Sequence, residues 1–294
     1  MFAVSTGLAQ NAPATRPTTR GFAGRGRTRP IPARKPGIPS LWIVGDSTIR
    51  NGQDTGNNGQ WGWGNPIAAY FDRDRINVVN YALGGTSSRT FMTPGRGQTQ
   101  SDWDVVMANI QPGDFVIMQF GHNDGGKPDD PARARATLPG NGEETQEIDN
   151  PITGKHEVVH SYGWYMRKYV TDAKSKGAAE VYICSLIPRN HWQNGKMDAG
   201  QKYPQWAKDA AAQAGAIYID LHQLAASKYE AMGEKKTTDV YFPDGETTHT
   251  DWAGAILNAG CVTEGIKASE HSALAGFLLA NPPTDVPLPQ GKAR

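Results

Sequence analysis

Two short segments, far apart in the chain, carry the residue types of a serine nucleophile and its base. Ser47 lies in a Gly-Asp-Ser-Thr segment, directly after the apolar run Leu41–Val44. Glu246 and His249 lie near the other end of the chain, three residues apart. A serine becomes nucleophilic when a base accepts its proton and a third group orients that base. Together the two segments supply these three groups, which predicts a serine esterase.

The elements that must position these groups follow from the hydrophobic pattern. Five apolar runs are rich in β-branched and aromatic residues: Leu41–Val44, Ile76–Tyr81, Phe115–Phe120, Val181–Leu186 and Ile217–Ile219. Such continuous apolar runs are typical of parallel strands that are covered on both faces. Helical patterns alternate with them: Asn65–Phe71, Trp103–Asn109, Tyr162–Lys176, Tyr203–Ala214, Gln223–Met232 and Asp251–Lys267. The alternation predicts one doubly wound α/β domain over residues 41–270.

Three segments lie outside this pattern. Residues 1–40 contain six arginines, one lysine and six prolines but no acidic residue, which predicts a disordered basic leader. Contact of this arm with a polyanion is the alternative. The first ten residues resemble the end of a secretory signal, so we expect a secreted or periplasmic protein. Residues 125–160 predict a long functional or disordered loop, and residues 281–294 an unstructured proline-rich tail.

Composition excludes several other classes of protein. Hydrophobic residues make up 38% and charged residues 20% of the 294 residues, and the formal net charge is +1. This balance fits a soluble domain and gives no reason to expect nucleic acid, while no stretch predicts a membrane span. Cys184 and Cys261 are expected in the core, with a disulfide left open, and no cysteine–histidine cluster predicts a metal or cofactor site. The oligomeric state stays open.

The ends of the predicted strands carry further candidate groups. Ligands of open α/β sheets bind beyond the carboxyl ends of the strands, where Ser47, a Gly84-Gly85 pair and the segment 121–124 (Gly-His-Asn-Asp) would meet. Cleavage of an ester passes through an oxyanion, and Gly85, Asn123 and the N–H of Ser47 are candidate donors to it. Each motif alone also fits an ordinary turn or cap. Their joint order favours a catalytic site.

This order of segments resembles the SGNH (GDSL-type) hydrolase family, and within it the rhamnogalacturonan acetylesterases. The resemblance covers about residues 41–267 and includes two further segments, 62–64 (Gly-Trp-Gly) and 253–255 (Ala-Gly-Ala). It implies a three-layer, flavodoxin-like fold with a five-stranded parallel sheet. It also implies metal-independent removal of acetyl groups from a pectin-type polysaccharide. By matching position, Ser47 is the nucleophile, His249 the general base, and Gly85 and Asn123 the oxyanion donors.

The acid is the position at which the chain departs from the family pattern. The family usually has an aspartate three residues before the histidine, where this chain has Glu246. Asp244, five residues before His249, is the rival, but the shorter spacing favours Glu246. If His249 is the base, activity should fall as the imidazole takes up a proton below about pH 6–7.

Candidates for substrate binding are aromatic and basic residues near the predicted rim. Trp61 and Trp63 either stack on sugar rings or pack beneath their glycine-rich loop. His122 and Trp192 are further candidates, and His191 lies beside the latter. The loop 125–160 offers four basic side chains to galacturonate carboxylates, but four acidic ones accompany them. The basic residues are Lys127, Arg133, Arg135 and Lys155, and the acidic ones are Glu143, Glu144, Glu147 and Asp149.

Three other functions are alternatives to a carbohydrate acetylesterase. An SGNH esterase or lipase would act on a longer acyl ester, although no broad apolar groove is evident in the sequence. A non-catalytic carbohydrate-binding protein would not need Ser47. A nucleotide-binding flavodoxin-like protein would need a glycine-rich phosphate loop after the first strand, which residues 46–50 (Asp-Ser-Thr-Ile-Arg) do not resemble.

Overall fold

A computed structural model describes residues 29–51 and 54–289 of the chain. The strands in this part are β1 Ser40–Gly45, β2 Asn77–Asn80, β3 Phe115–Gln119, β4 Thr145–Asp149, β5 His156–His160, β6 Glu180–Cys184, β7 Trp192–Gln193, β8 Lys196–Met197 and β9 Ile217–Ile219. The α-helices are α1 Asp102–Asn109, α2 Tyr162–Ser175, α3 Tyr203–Ala214, α4 Leu221–Met232, α5 Glu234–Tyr241 and α6 Trp252–Ala268. Short 3₁₀ segments are Asn57–Gly59, Ile67–Tyr70 and Leu274–Phe277.

Five strands form one parallel sheet in the order β2-β1-β3-β6-β9. Counted along the chain, this order is 2-1-3-4-5, which is the flavodoxin-like order. The predicted five-stranded parallel α/β fold is therefore confirmed. The direction of strand addition reverses at β1 and β3, and the crevice beyond such a reversal is where α/β sheets bind ligands.

Helices cover both faces of this sheet, because alternate side chains of each strand point to opposite faces. Leu41 and Ile43 of β1 pack in the cluster that includes α4 and α6. Trp42 and Val44 pack in the cluster that includes α1, α2 and α3. All six residues of β1 are buried. Burial on both faces accounts for the continuous apolar runs in the sequence.

Most predicted elements agree with the structure to within two residues, but the helix expected at Asn65–Phe71 is wrong. Only one 3₁₀ turn forms there, Ile67–Tyr70. Phe71 is extended and makes an antiparallel bridge with Leu278. An isolated helix of this length is marginal, since its first turn costs more than it gains. Pairing with the C-terminal segment therefore outweighs the helical pattern.

The segment 125–160 is not the structureless loop that its composition suggested. It contains the antiparallel hairpin β4–β5, closed by a turn in which the N–H of Asn150 donates to the carbonyl of Lys155 (2.9 Å). Only one residue in each strand is buried, Ile148 and Val159. With so few buried positions, the alternation of apolar and polar residues was too weak to predict the two strands. The hairpin β7–β8 and helix α5 were missed as well.

The described parts of the two terminal segments lie against the domain. Arg34 forms two hydrogen bonds of 2.7 Å with the buried carboxylate of Asp114. At the other end Val286 is buried and its carbonyl accepts from the indole of Trp252 (2.7 Å). Each of the segments 29–40 and 281–289 therefore has at least one residue anchored to the domain, Arg34 and Val286. The signal-like segment 1–10 and the remainder of the arginine-rich arm lie outside the described residues.

The two cysteines are buried and free, as expected of core residues, so they form no disulfide. Burial raises the pKa of Cys261 to about 12. Over residues 29–51 and 54–289, the structure holds no group of three potential metal-ligating side chains arranged around one point. Within the same ranges, none of the helices has the length and apolarity that crossing a bilayer requires.

Candidate active site

Ser47 stands directly beyond β1, at the carboxyl edge of the sheet. The chain leaves the strand through Gly45, where an added Cβ would lie 2.2 Å from the carbonyl oxygen of Gln119 on β3. Only glycine fits this close approach. After it the N–H groups of Ile49 and Arg50 both bond to the carbonyl of Asp46 (3.2 Å each). This tight turn holds Ser47 at the edge, 8% exposed.

The structure brings Ser47 and His249 together across 202 positions of sequence. Nε2 of His249 lies 2.8 Å from Oγ of Ser47, which is hydrogen-bonding distance. His249 lies in the loop before α6, and this loop joins the Ser47 side of the site because Trp61 donates its N–H to the carbonyl of Thr250 (2.8 Å). The pair has the geometry in which an imidazole can accept a serine proton.

Glu246 is the carboxylate that reaches His249. Its Oε2 lies 3.2 Å from Nδ1 of His249, within ion-pair distance. Asp244 is exposed and makes no hydrogen bond or ion pair with a described residue. Of the two acids considered from sequence, only Glu246 contacts the imidazole.

Surrounding donors hold the Glu246 carboxylate in place. Its Oε1 accepts from the backbone N–H groups of Thr247, Thr248 and His249 at 2.9, 2.7 and 3.2 Å. Its Oε2 accepts from the side-chain amide of Gln60 at 2.6 Å. Burial by itself would raise the pKa of Glu246, but these N–H groups and His249 outweigh it, and the pKa is lowered. Glu246 therefore stays an anion facing the imidazole.

The glycine pair and Asn123 lie in the same region. The N–H of Leu83 bonds to the carbonyl of Gly45 (2.9 Å), which places the turn that follows β2 beside the serine. An added Cβ on Gly84 would lie 3.5 Å from Cβ of Ser47, and Gly85 has a left-handed φ of 82°. The Asn123 amide donates to the carbonyl of Thr86 (2.7 Å). The two oxyanion candidates thus lie on neighbouring turns, after β2 and after β3, that one hydrogen bond joins, and Gly84 is the glycine packed on Ser47.

Two fully buried carboxylates lie directly behind these groups. One oxygen of Asp46 accepts from the N–H and hydroxyl of Thr48, and one oxygen of Asp124 accepts from the N–H and hydroxyl of Ser88. The second oxygen of each aspartate has no hydrogen-bond partner among the described residues. Burial raises the pKa of Asp46, and it raises the pKa of Asp124 to about 7. The site therefore rests on carboxyl groups that are costly to ionise.

The structure contradicts one proposed sugar contact and modifies the others. Trp63 is fully buried and donates its indole N–H to the side chain of Gln119 (2.9 Å), so the expectation that it stacks on a sugar ring is wrong. Trp61 is also fully buried, against Trp252. Aromatic rings near a glycine-rich loop fit either sugar stacking or packing beneath the loop. In the structure both rings pack beneath the loop.

His122 and Trp192 occupy different environments. His122 is 8% exposed, and neither ring nitrogen has a hydrogen-bond partner in the described chain. Burial, and then the nearby charge of Arg189, lower its pKa well below the usual value, so its ring is neutral. Trp192 is half-buried against the core, and its indole donates to Asn190 (2.8 Å). Trp192 therefore remains partly exposed to solvent.

Sequence reasoning missed the residues that brace the site. Arg189 donates to the hydroxyl of Thr248 and to the carbonyl of His122 (3.1 Å), which ties the histidine loop to the end of β3. The N–H of Asn190 adds a bond to the carbonyl of Thr247 (2.8 Å). Arg189 follows the fourth predicted strand, so the rule for the carboxyl edge would have found it. Gln60 carried no such signal.

A parallel sheet with serine, histidine and a carboxylate in contact at its carboxyl edge is typical of serine hydrolases. A family model described as the GDSL-like lipase/acylhydrolase family matches residues 43–255. The chain belongs to this family, which is a class of carboxylic ester hydrolases.

Relatives of the chain carry more specific names. It is 31% identical over 231 residues to a rhamnogalacturonan acetylesterase of Emericella nidulans, covering 78% of this chain and 85% of that protein. It is 29% identical to a probable rhamnogalacturonan acetylesterase of Bacillus subtilis, covering 77% and 92%.

Two solved structures share the fold. Protein YxiM of Bacillus subtilis has a TM-score of 0.58 at 22% identity, and the match covers 78% of this chain and 56% of that chain. A variant of an acetyl-xylooligosaccharide esterase from Geobacillus has a TM-score of 0.51 at 16% identity, covering 77% and 93%.

Proposed function

We propose that the protein is a secreted or periplasmic O-acetylesterase that removes acetyl groups from a rhamnogalacturonan-like, pectin-type polysaccharide. The observation that carries the chemistry is the 2.8 Å contact between Ser47 and His249, with Glu246 on the far side of the imidazole. The names of two relatives that align over most of their length support the substrate class.

The reaction proceeds in two halves through an acetyl-enzyme. His249 takes the proton of Ser47 as Oγ attacks the acetyl carbonyl, and Glu246 stabilises the imidazolium that forms. The N–H of Gly85, the N–H of Ser47 and the amide of Asn123 receive the oxyanion. The sugar alcohol leaves with the proton from His249. Water, activated by the same imidazole, then releases acetate and restores Ser47.

Acetate release from acetylated rhamnogalacturonan, pectin and xylan tests the proposal, with Ser47→Ala as the control. We expect release from the pectic substrates above that from xylan. Ser47→Ala should lower kcat by about 10⁴-fold or more with unchanged thermal stability. A Ser47→Ala variant that still released acetate would defeat the mechanism. A non-catalytic carbohydrate-binding protein would release no acetate at all.

The main alternative within the family is an esterase for a longer acyl group. Hydrolysis of p-nitrophenyl acetate, butyrate and octanoate separates the two functions. An acetylesterase should prefer acetate because its acyl site need hold only a methyl group. A higher kcat/KM for octanoate would overturn the acetylesterase in favour of a lipase-like enzyme.

A further inference from the structure

Arg135 is a half-buried arginine beside the active site with no acidic partner. Its Nη1 donates to the carbonyl oxygen of Gly85 at 3.3 Å, next to a proposed oxyanion donor. No carboxylate of the described chain lies within ion-pair distance of it, and this is its only hydrogen bond there. A guanidinium carries five N–H donors in a planar fork, so most of them remain available.

The segment that holds Arg135 is constrained by its surroundings. Ala134 is 1% exposed and has a φ of 40°, a left-handed conformation that costs a non-glycine residue about 1–2 kcal/mol. Strain of this kind persists only where packing enforces it. The fully buried Arg89 supplies that packing, since it donates to the carbonyl of Ala136 (2.8 Å) and pairs with Glu157 (2.7 Å). The backbone that carries Arg135 is therefore held in place beside Gly85 by the buried residues on either side of it, Ala134 and Ala136.

The charges around Arg135 leave this position electropositive. Arg133 and Arg189 act on it as like charges, and the carboxyls of Asp46 and Asp124 act as opposite charges. Both carboxyls are fully buried behind the site, and burial raises their pKa values, that of Asp124 to about 7. Burial thus disfavours the charged form of both carboxyls, which weakens their attraction for the guanidinium.

We propose that Arg135 forms a subsite for the carboxylate of a uronic acid residue, next to the sugar whose acetyl ester is cleaved. This inference rests on the proposed function and names the group of the substrate that is recognised. Galacturonic acid is a component of rhamnogalacturonan, and its carboxylate matches the fork of a guanidinium, which binds such groups through two parallel hydrogen bonds.

Two neighbouring arginines do not fit this role. Arg189 uses its guanidinium to join Thr248 to the carbonyl of His122, so its donors serve the framework. Arg133 is exposed and makes no side-chain bond within the described chain, so it offers charge without a fixed geometry. Arg133 is therefore the matched control, since it is the same residue type two positions away.

The test compares two substrates that differ only in the carboxyl group: acetylated galacturonate oligosaccharides, and the same oligosaccharides with methyl-esterified carboxyls. We expect the wild-type enzyme to favour the free acid in kcat/KM by about 10- to 100-fold, mainly through KM. Arg135→Gln should reduce this ratio to about threefold or less, Arg135→Lys should retain part of it, and Arg133→Gln should keep it. Thermal unfolding checks that each variant is folded.

Each other outcome overturns the subsite. A wild-type enzyme that cleaves both substrates equally, or an Arg135→Gln variant that keeps the full ratio, would contradict it while leaving the acetylesterase intact. An equal loss in Arg133→Gln would show diffuse attraction by positive charge instead. If the wild-type enzyme hydrolyses p-nitrophenyl acetate but deacetylates neither oligosaccharide, the proposed substrate class fails and the subsite fails with it.

Discussion

Strand β3 is flanked by two fully buried aspartates that the protein treats in opposite ways. Asp114, before the strand, accepts five hydrogen bonds, two from Arg34 and one each from Ser40, Trp42 and Gln111. Asp124, after the strand, accepts two hydrogen bonds from Ser88 on one oxygen, and its other oxygen has no partner in the described chain. Buried polar groups are normally satisfied, so the second case needs an explanation.

The difference separates a stabilising end of the sheet from a functional one. At the amino edge four of the five hydrogen bonds of Asp114 come from residues 34–42 and anchor that segment to the sheet. At the carboxyl edge the polar groups are arranged around Ser47 and His249. There one carboxylate oxygen of Asp124 has no hydrogen-bond partner in the described chain, and the pKa of Asp124 is raised. Functional sites commonly retain buried groups that lower stability, because the residues there are determined by the chemistry and not by stability. Substitutions at the two edges should therefore affect different properties.

After Ser47→Ala, the largest effect on activity is expected from Glu246→Gln. The neutral amide no longer stabilises the imidazolium of His249 or fixes its tautomer, so kcat should fall by about 10³- to 10⁴-fold. Steady-state hydrolysis of p-nitrophenyl acetate measures it, with Asp244→Asn as the control two residues away. If Asp244→Asn lowers kcat more than Glu246→Gln, the acid has been assigned to the wrong residue.

Asp114→Asn should affect stability instead of activity. The amide cannot accept from all five donors and leaves Arg34 without its counter-charge, so the free energy of unfolding should fall by about 2–4 kcal/mol. Urea denaturation measures this loss. The control is Asp102→Asn, which breaks the more exposed pair with Arg29 and should cost under about 1 kcal/mol. A fall in kcat/KM of the folded Asp114→Asn enzyme would contradict the division between the two edges.

Asp124→Asn should stabilise the protein at alkaline pH. The pKa of Asp124 is higher in the folded chain than the unfolded value of 3.8, so the folded state holds a proton that the unfolded state has lost. Its contribution to stability is full below about pH 4 and is lost as pH rises through about 7. The amide resembles the protonated acid at every pH.

Urea denaturation at pH 5 and pH 8 checks this expectation. At pH 5 the unfolded state has already lost most of this proton, so the variant should be more stable than the wild type by a smaller margin than at pH 8. At pH 8 the variant should be more stable by about 1–3 kcal/mol. A variant that is less stable than wild type at pH 8 would mean that Asp124 is stabilised as an anion, like Asp114.

The smallest effect is expected from Gln60→Ala. Removing its 2.6 Å hydrogen bond to Glu246 leaves three backbone donors on the other oxygen of the carboxylate. We expect kcat to fall by about five- to tenfold with little change in the melting temperature. Asn51→Ala, which removes only the partner of Gln60, should have a smaller effect. Equal effects would indicate that the whole loop is being loosened.

The sequence predicts the central sheet well because buried parallel strands leave a strong signal. The run Leu41–Val44 is apolar on both faces, and the strand found there extends it by one residue at each end. The hairpin β4–β5 left almost no signal, since its strands each bury a single side chain. The prediction of a helix at Asn65–Phe71 was wrong for another reason. The conformation of Phe71 is determined by its pairing with Leu278, which is distant in sequence.

Within the site, the residues whose type and place the chemistry and the fold restrict were easier to predict than the residues that support them. Ser47 and His249 are recognisable because their chemistry restricts the residue type and the fold restricts their place. Arg189 and Gln60 act through one or two side-chain hydrogen bonds to neighbouring loops, and many residue types at many positions can do the same. Trp63 shows the converse error, in which a suitable side chain lies near the site but is used for packing.

The 2.8 Å contact of Ser47 with His249 also makes activity a reporter of folding. It joins residues that are 202 positions apart and depends on loops from several strands. Contacts of such high sequence separation form only after the intervening chain has been ordered, because closing so large a loop costs entropy. During refolding, ester hydrolysis should therefore return after tryptophan burial is complete. The rate at which ester hydrolysis recovers then measures the rate of the last step in the assembly of the domain.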